Sequence, residues 1–123
     1  MVTTEQLREL ASLPADKGLV ISFYLNVDRR NRSPIRYAEV AHQLVREAGA
    51  HVADPAMPHA VARQLQADLD WIVRYVGAEF RHVHARGLAV FASGARGLWR
   101  TFDLPSPLQD LVRVGRTAYL RPL

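Results

Sequence analysis

The chain has 123 residues, a formal net charge of +4 and no cysteine. That length suits one domain, and a composition that is 49% hydrophobic supports a packed core, which argues against a disordered chain. The lack of cysteine excludes disulfides, thiolate metal sites and cysteine nucleophiles. It is also compatible with a reducing cytosol.

The N-terminus has no basic leader followed by an apolar block, and no apolar run approaches the roughly 20 residues that cross a bilayer. We therefore expect a cytoplasmic protein. Arginine supplies 15 of the 16 basic residues, and Lys17 is the only lysine. Two explanations stay open: the codon bias of a GC-rich genome, and the bidentate phosphate contacts that arginine prefers. The net positive charge favours an acidic partner.

The first predicted elements are a short helix and a buried strand. The segment TTEQLRELASL opens with a capping hydroxyl, carries Glu5 in its first turn, and ends at Pro14. The segment GLVISFYLNV that follows is almost wholly apolar and rich in β-branched and aromatic residues. It predicts an interior strand that is covered on both faces.

Two helices are predicted in the middle of the chain. Ser33 and Pro34 are typical of a helix cap and first helical position, and an apolar stripe runs from Tyr37 to Ala48. That helix ends between residues 52 and 58. Apolar residues then recur every three or four positions from Val61 to Phe80, which predicts a helix of about six turns. We expect these helices to form an antiparallel hairpin.

The last third has the pattern of strands. GLAVFAS is a compact apolar strand, GAR a turn, and GLWRTFDL a strand with one wet face. DLVRVG and AYLRPL read as two short strands. We predict one α+β (α/β-like) domain over residues 1–123: a single mixed β-sheet packed with a helical hairpin and a short N-terminal helix. The apolar ending YLRPL suggests a domain excised from a longer multidomain protein.

A cluster of arginines follows the first strand. Arg29, Arg30, Arg32 and Arg36 lie in the stretch NVDRRNRSPIR, next to a predicted helix N-terminus. Several cations near one helix start can contact the phosphates of RNA. The alternative is a solvated surface loop in which Asp28 pairs with a neighbouring arginine. The sequence leaves both interpretations open.

Further candidates lie at the helix ends and on the later strands. His51, Asp54 and His59 surround the helix bend, where the spacing matches no common zinc pattern, so we predict no metal and no cofactor. Arg81, His82, His84 and Arg86 suit the C-terminus of the long helix. Trp71, Tyr75 and Phe80 suit core packing. Arg96, Trp99 and Arg100 are candidates for an interface with a following domain.

Nothing in the sequence indicates catalysis by this chain. Ser22, Ser33 and Ser93 have no neighbouring base, and Asp68 and Asp70 are two residues apart, so they point in different directions on a helix. The segment ASGARG lacks the glycines and the lysine of a phosphate-binding loop.

Three features carry a resemblance to a known family. They are KGLVISFYLNVDRR, the helical pair of about fifty residues, and the ending that runs from ARGLAVFASGARGLWRTFDL to YLRPL. Their order and spacing resemble the N-terminal domain of bacterial relatives of the archaeo-eukaryotic class I peptide-chain release factors. The resemblance covers the chain from about residue 8 to its end.

The resemblance implies a role in translation. In that family this domain lies at the decoding centre of the small ribosomal subunit and reads the stop codon with an Asn-Ile-Lys-Ser motif in the helix bend. Here the bend, GAHVADPAMPHAV, has neither that motif nor a lysine, and the chain has no Gly-Gly-Gln hydrolysis motif.

The expected function is therefore ribosome or RNA binding (rRNA, mRNA or tRNA) without catalysis, in termination, rescue or hibernation. Its candidate RNA-binding residues are Arg29, Arg30, Arg32, Arg36, His51 and His59. The alternative is a non-catalytic interaction or oligomerisation module that docks other domains.

Overall fold

The computed structural model describes residues 2–14, 18–52, 55–80 and 84–123; for residues 51 and 52 it describes the backbone alone. In chain order the elements are α1 (Thr4–Ala11), β1 (Val20–Asn26), α2 (Pro34–Val52), α3 (His59–Arg74), a π-helical turn (Tyr75–Glu79), β2 (Gly87–Ser93), a 3₁₀ turn (Gly94–Arg96), β3 (Leu98–Leu104) and β4 (Leu111–Gly115). This order confirms the α+β class.

The four strands form one sheet in the order β3-β2-β1-β4. All three pairings are antiparallel, with Ile21 opposite Ala92 on one side and opposite Val114 on the other. The sheet is therefore antiparallel throughout rather than mixed. The reason lies in the connections: the two-helix excursion brings the chain back beside β1 in the opposite direction, and short links join the later strands.

The sheet is covered on both faces, so β1 and β2 are buried along nearly their whole length. Side chains of Ile21, Phe23 and Leu25 face α2 and α3, where they meet Leu69 and Ile72. The opposite face has a smaller core that combines α1 with the chain's last residues. Its buried members are Leu10, Tyr24, Ala89, Phe91 and Phe102. The prediction that GLVISFYLNV forms an interior strand is confirmed.

The helices begin where the sequence predicts. Thr3 accepts a hydrogen bond from the Gln6 amide at 3.1 Å and its own amide donates to the Gln6 side chain at 2.9 Å, which is a capping box. Ser33 caps α2, since its Oγ accepts from the Arg36 amide at 3.2 Å. No helix in the described residues is both long and apolar enough to cross a membrane.

The second helix of the pair, α3, differs from the long helix that the sequence predicts. Its α-helical part ends at Arg74, and a wider π-helical turn carries the chain to Glu79, closed by the Phe80 amide donating to the Tyr75 carbonyl at 2.8 Å. Gly77 lies within this turn, and glycine has a weak helix preference, so the departure from α geometry costs little there. The turn places buried Phe80 against Tyr37 of α2, with ring centroids 6.0 Å apart.

The segment AYLRPL, predicted as a strand, is irregular, so that prediction was wrong. Its backbone bonds to side chains instead of to a neighbouring strand. The Tyr119 amide donates to Ser22 Oγ at 2.9 Å, and the Tyr24 hydroxyl donates to the Tyr119 carbonyl. Pro122, which has no amide hydrogen, also weakens a strand here. The segment covers the second face of the sheet.

Candidate nucleic-acid interface

The loop after β1 is held by its own side chains. Asn26 Oδ1 accepts from the Asp28 amide at 3.0 Å, and Asp28 Oδ1 accepts from the Arg30 amide at 3.0 Å. The Asp28 carbonyl accepts from the amides of Asn31 and Arg32, at 2.9 and 3.0 Å. The two bonds to side-chain oxygens are typical of Asx turns, and the two bonds to the Asp28 carbonyl close a backbone turn. They fix where the arginines of the loop leave the backbone.

Asp28 is the buried centre of this region. Its side chain is only 5% exposed, and it lies 3.3 Å from Arg30 Nε and 3.7 Å from Arg86 Nε. Arg30 Nη2 also donates to Asp28 Oδ2 at 3.4 Å. The two arginine side chains are 66% and 37% exposed. The negative charge therefore lies beneath the two positive charges, which face solvent.

Arg32 has an internal role. Its two terminal nitrogens donate to the two carboxylate oxygens of Asp110, each at 3.0 Å, and Nη1 also reaches the Asn26 carbonyl at 3.2 Å. This two-pronged ion pair joins the loop after β1 to the link between β3 and β4. With its side chain 21% exposed, Arg32 offers little of its guanidinium to a ligand.

Arg29 and Arg36 complete the exposed set. Arg29 is exposed and makes no hydrogen bond or ion pair with the part of the chain that the structure describes. Arg36 lies in the first turn of α2 and is 60% exposed, with a loose contact of 3.6 Å to Glu39. We call Arg29, Arg30, Arg36 and Arg86 the arginine face. It lies at the end of the sheet where β1 finishes and β2 begins, since Asn26 pairs with Gly87.

The two histidines of the predicted RNA-binding set lie at the other end of the molecule. His51 is in the last turn of α2, and its side chain is outside the described residues; His59 is exposed at the start of α3. The 19 residues of α2 span about 28 Å, and they separate the arginine face from this helix bend. The predicted set therefore does not form one surface. Asp54, Arg81 and His82 lie outside the described residues.

Arg96 connects three chain segments at the end where β1 begins. Its Nη2 donates to the Gly18 carbonyl at 2.7 Å and to the Arg116 carbonyl at 2.8 Å. Its Nε and Nη1 are buried without a hydrogen-bond partner among the described residues. Arg96, a candidate for a domain interface, thus serves an internal contact in this structure.

Trp99 is also committed to an internal contact. Its ring stacks on Trp71 of α3, with centroids 4.2 Å apart and planes 11° from parallel, and Tyr75 meets its edge. The partner Trp71 is 41% exposed, so it is the outer member of this pair. Arg100 points to the opposite face of β3, where its Nη2 lies 3.5 Å from Glu9 of α1. The three interface candidates therefore do not share one surface.

The sequence does not predict the roles of two residues in the arginine region, Arg86 and Asp110. The sequence pattern predicts Arg86 at the end of the long helix, whereas Arg86 precedes β2 and shares Asp28 with Arg30. No local sequence pattern indicates the ion pair of Asp110 with Arg32. The antiparallel pairing of the first and second predicted strands was the available signal, because it brings the end of one beside the start of the other.

Among the described residues, the buried polar side chains other than Asp28 serve the fold. Ser22 Oγ accepts from the Tyr119 amide, and Ser93 Oγ donates to the Leu19 carbonyl at 2.6 Å. Buried Asp68 accepts from the Gly94 amide at 3.0 Å. The described residues hold no group of three side chains suited to a metal ion. What the arrangement can do is attract and orient an anion at the arginine face.

Comparison with known proteins supports the fold alone. No protein-family model matches the chain, nor does any curated protein. Among solved structures, one described as an archaeal protein is similar, with a TM-score of 0.62 and 15% sequence identity. The similarity covers 94% of this chain and 32% of that one. This chain thus spans about a third of the length of that solved protein.

Proposed function

We propose that this chain is a non-catalytic, RNA-facing domain of a larger cytoplasmic protein, a bacterial relative of the archaeo-eukaryotic class I peptide-chain release factors, and that it associates with the ribosome. The domain contributes binding, and any hydrolysis of peptidyl-tRNA belongs to other domains. The order of elements that carries the family resemblance agrees with this proposal. So does the similarity to one third of a longer solved chain.

One observation carries the proposal: the charges of the arginine region are arranged with the carboxylate inside and the guanidiniums outside. Asp28 is 4% exposed, whereas Arg29, Arg30 and Arg36 are exposed. A guanidinium that is bound along one edge keeps further N–H donors for a phosphate. Because the loop backbone is already held by its own hydrogen bonds, little backbone entropy is lost when RNA binds.

Binding of ribosomes and of structured RNA at increasing salt tests the proposal. The variant Arg29→Ala/Arg30→Ala/Arg36→Ala removes three charges from the arginine face and leaves the Arg32–Asp110 pair in place. We expect weaker binding. The slope of log K against log salt concentration should be smaller in magnitude by roughly 2 to 3, because each lost phosphate contact lowers that slope by about 0.7 to 0.9. Cosedimentation with ribosomes and fluorescence anisotropy with labelled RNA measure both quantities.

The matched control is Arg46→Ala/Arg63→Ala/Arg74→Ala, which removes the same charge from exposed positions on α2 and α3. It should keep most of the binding. Equal losses in the two variants would indicate attraction by net charge alone. No ribosome association of the unaltered protein at low salt would refute the proposal.

A second candidate function, the docking of other domains, is favoured by the exposed Trp71 that stacks on Trp99. Tryptophan is enriched at protein interfaces. Light scattering over a range of concentrations separates the two functions. Self-association that Trp71→Ala abolishes, and that the triple arginine variant retains, supports docking.

A further inference from the structure

Among the described residues, no strand pairs with the outer side of the edge strand β4. It pairs with β1 along one side and is the last strand in the order β3-β2-β1-β4. The residues after β4 do not cover that side: Tyr119 and the residues beyond it return over the sheet's second face, where they contact Ser22 and Tyr24. An uncovered edge strand is a template for another extended chain.

The hydrogen bonds show which backbone groups of β4 point outward. The Asn26 amide points toward β4 and donates to Oδ1 of Asp110, which lies just before that strand. The Val27 amide points the other way and donates to the carbonyl of Arg86, which lies just before β2. Because the direction alternates along a strand, Ser22 and Tyr24 bond to β4, through their partners Arg113 and Leu111. The amides and carbonyls of Val112 and Val114 therefore face away from the sheet.

A groove runs along this same edge. Its volume is about 590 Å³, and it lies between β4 and the end of α2. The apolar part of its lining comes from Leu19, Ala48, Ala50, Met57, Val112 and Val114, and Glu47 of α2 also lines it. The two valines with outward backbone groups thus also present their side chains to the groove. A strand added to β4 would place every second side chain in it.

The charge on the other face of β4 selects the occupant. Arg113 is exposed, and its guanidinium lies 4.8 Å from the centre of the Tyr119 ring, without an ion-pair partner in the described residues. Residues opposite each other on adjacent strands project to the same face, and opposite charges there are favourable. A second copy of this chain is disfavoured as the occupant. If two β4 strands paired through the outward groups of both Val112 and Val114, the Arg113 side chains of the two copies would lie opposite each other, and like charges there are destabilising.

We propose that β4 and the adjoining groove bind an extended peptide segment of another protein with an apolar–acidic–apolar core. The segment adds a strand to the sheet. Its apolar side chains lie beside Val112 and Val114, and its carboxylate lies beside Arg113. This site is separate from the arginine face, so its existence does not depend on RNA binding.

The test uses two labelled, end-capped peptides, TVEVT and TVKVT, with binding measured by anisotropy and located by amide shifts in NMR spectra. The acidic peptide should bind more tightly and shift the amides of β4. Arg113→Glu should weaken TVEVT roughly three- to tenfold and strengthen TVKVT by a similar factor. Arg8→Glu, the same charge change on α1, should leave both affinities unchanged.

The variant Val114→Pro tests the backbone bonds. It removes an outward amide hydrogen and leaves the pairing with β1 intact, so it should keep the fold and lose the peptide. Equal binding of both peptides to the unaltered protein and to Arg113→Glu would overturn the proposal. So would shifts that lie outside β4 and the groove, or a concentration-dependent dimer that excludes the peptide. The charge exchange decides the matter even where Val114→Pro fails to fold.

Discussion

Neighbouring arginines in one loop have different roles because of what lies beside each of them. Arg29 is exposed, Arg30 lies above buried Asp28, and Arg32 is bound by Asp110, 78 residues later in the chain. The sequence could identify the cluster, and it named Asp28 as a partner. It could not identify Arg32 as the internal member, because no local pattern connects that residue with Asp110.

Arg32→Ala should therefore lower the free energy of unfolding by about 1 to 2 kcal/mol, since it leaves a half-buried carboxylate with fewer partners. Arg29→Ala is its matched control and should change that free energy by less than about 0.5 kcal/mol. Urea denaturation measures both. A larger loss for Arg29→Ala than for Arg32→Ala contradicts the assignment.

Tyr24 should make the free energy of unfolding decrease at high pH. Burial raises the pKa of Tyr24 well above its usual value of 10.0, and the nearby Tyr119 adds to the rise. The folded state therefore keeps a proton that the unfolded chain releases above about pH 10. The free energy of unfolding should fall above that pH, by up to about 1.4 kcal/mol per pH unit for this proton.

The substitution Tyr24→Phe should make that fall shallower. It should also cost about 1 kcal/mol at pH 7, because the hydrogen bond to the Tyr119 carbonyl is lost. Part of the fall should remain, since burial also raises the pKa of Tyr75. Unfolding in urea between pH 7 and 11 measures the difference, and identical slopes for the two proteins would count against the role of Tyr24.

At the scale of elements, the sequence was most informative where the pattern was strong. The runs in β1 and β2 are apolar enough to predict two buried strands, and the caps at Thr3 and Ser33 predict the helix starts. The sequence was least informative where contacts between residues distant in the chain determine the local conformation. Residues 118–123 look like a strand, yet their backbone bonds to the side chains of Ser22 and Tyr24.

The link between β3 and β4 crosses the sheet at Gly87, and it leaves no room for a side chain there. A Cβ on Gly87 would lie 2.5 Å from the Ser106 carbonyl oxygen and 2.8 Å from Leu108 Cγ. Gly87→Ala should therefore cost about 2 kcal/mol, because the link must move away from its packing. Thermal unfolding measures the loss.

Gly77→Ala is the control, since nothing lies within 4 Å of the position that its methyl group would take, and its φ is ordinary. It should leave stability unchanged or raise it by up to about 1 kcal/mol. If Gly87→Ala were tolerated as well as Gly77→Ala, the link would not lie against β2 in solution.

At the scale of the whole molecule, the fold is three layers thick with β1 and β2 at its centre. Both strands lie between the helical pair on one side and α1 with the last residues on the other. The strands β3 and β4 form the two edges and are only partly buried. The protection of backbone amides against hydrogen exchange should therefore decrease from the centre of the sheet to its edges.

Hydrogen exchange followed by NMR tests this order. Amides of β1 and β2 should exchange only through global unfolding, whereas the outward amides of β4, such as those of Val112 and Val114, should exchange by local opening or directly. Slower exchange of these β4 amides than of the β1 amides would mean that something covers the edge.

The second face of the sheet also has a consequence for synthesis in the cell. Tyr24 emerges early during translation, yet the residues that cover it, Tyr119 among them, are made about 95 positions later. A nascent chain halted before that point would leave an aromatic surface bare to chaperones and proteases. The domain is thus expected to reach its native state only after its closing residues have left the exit tunnel.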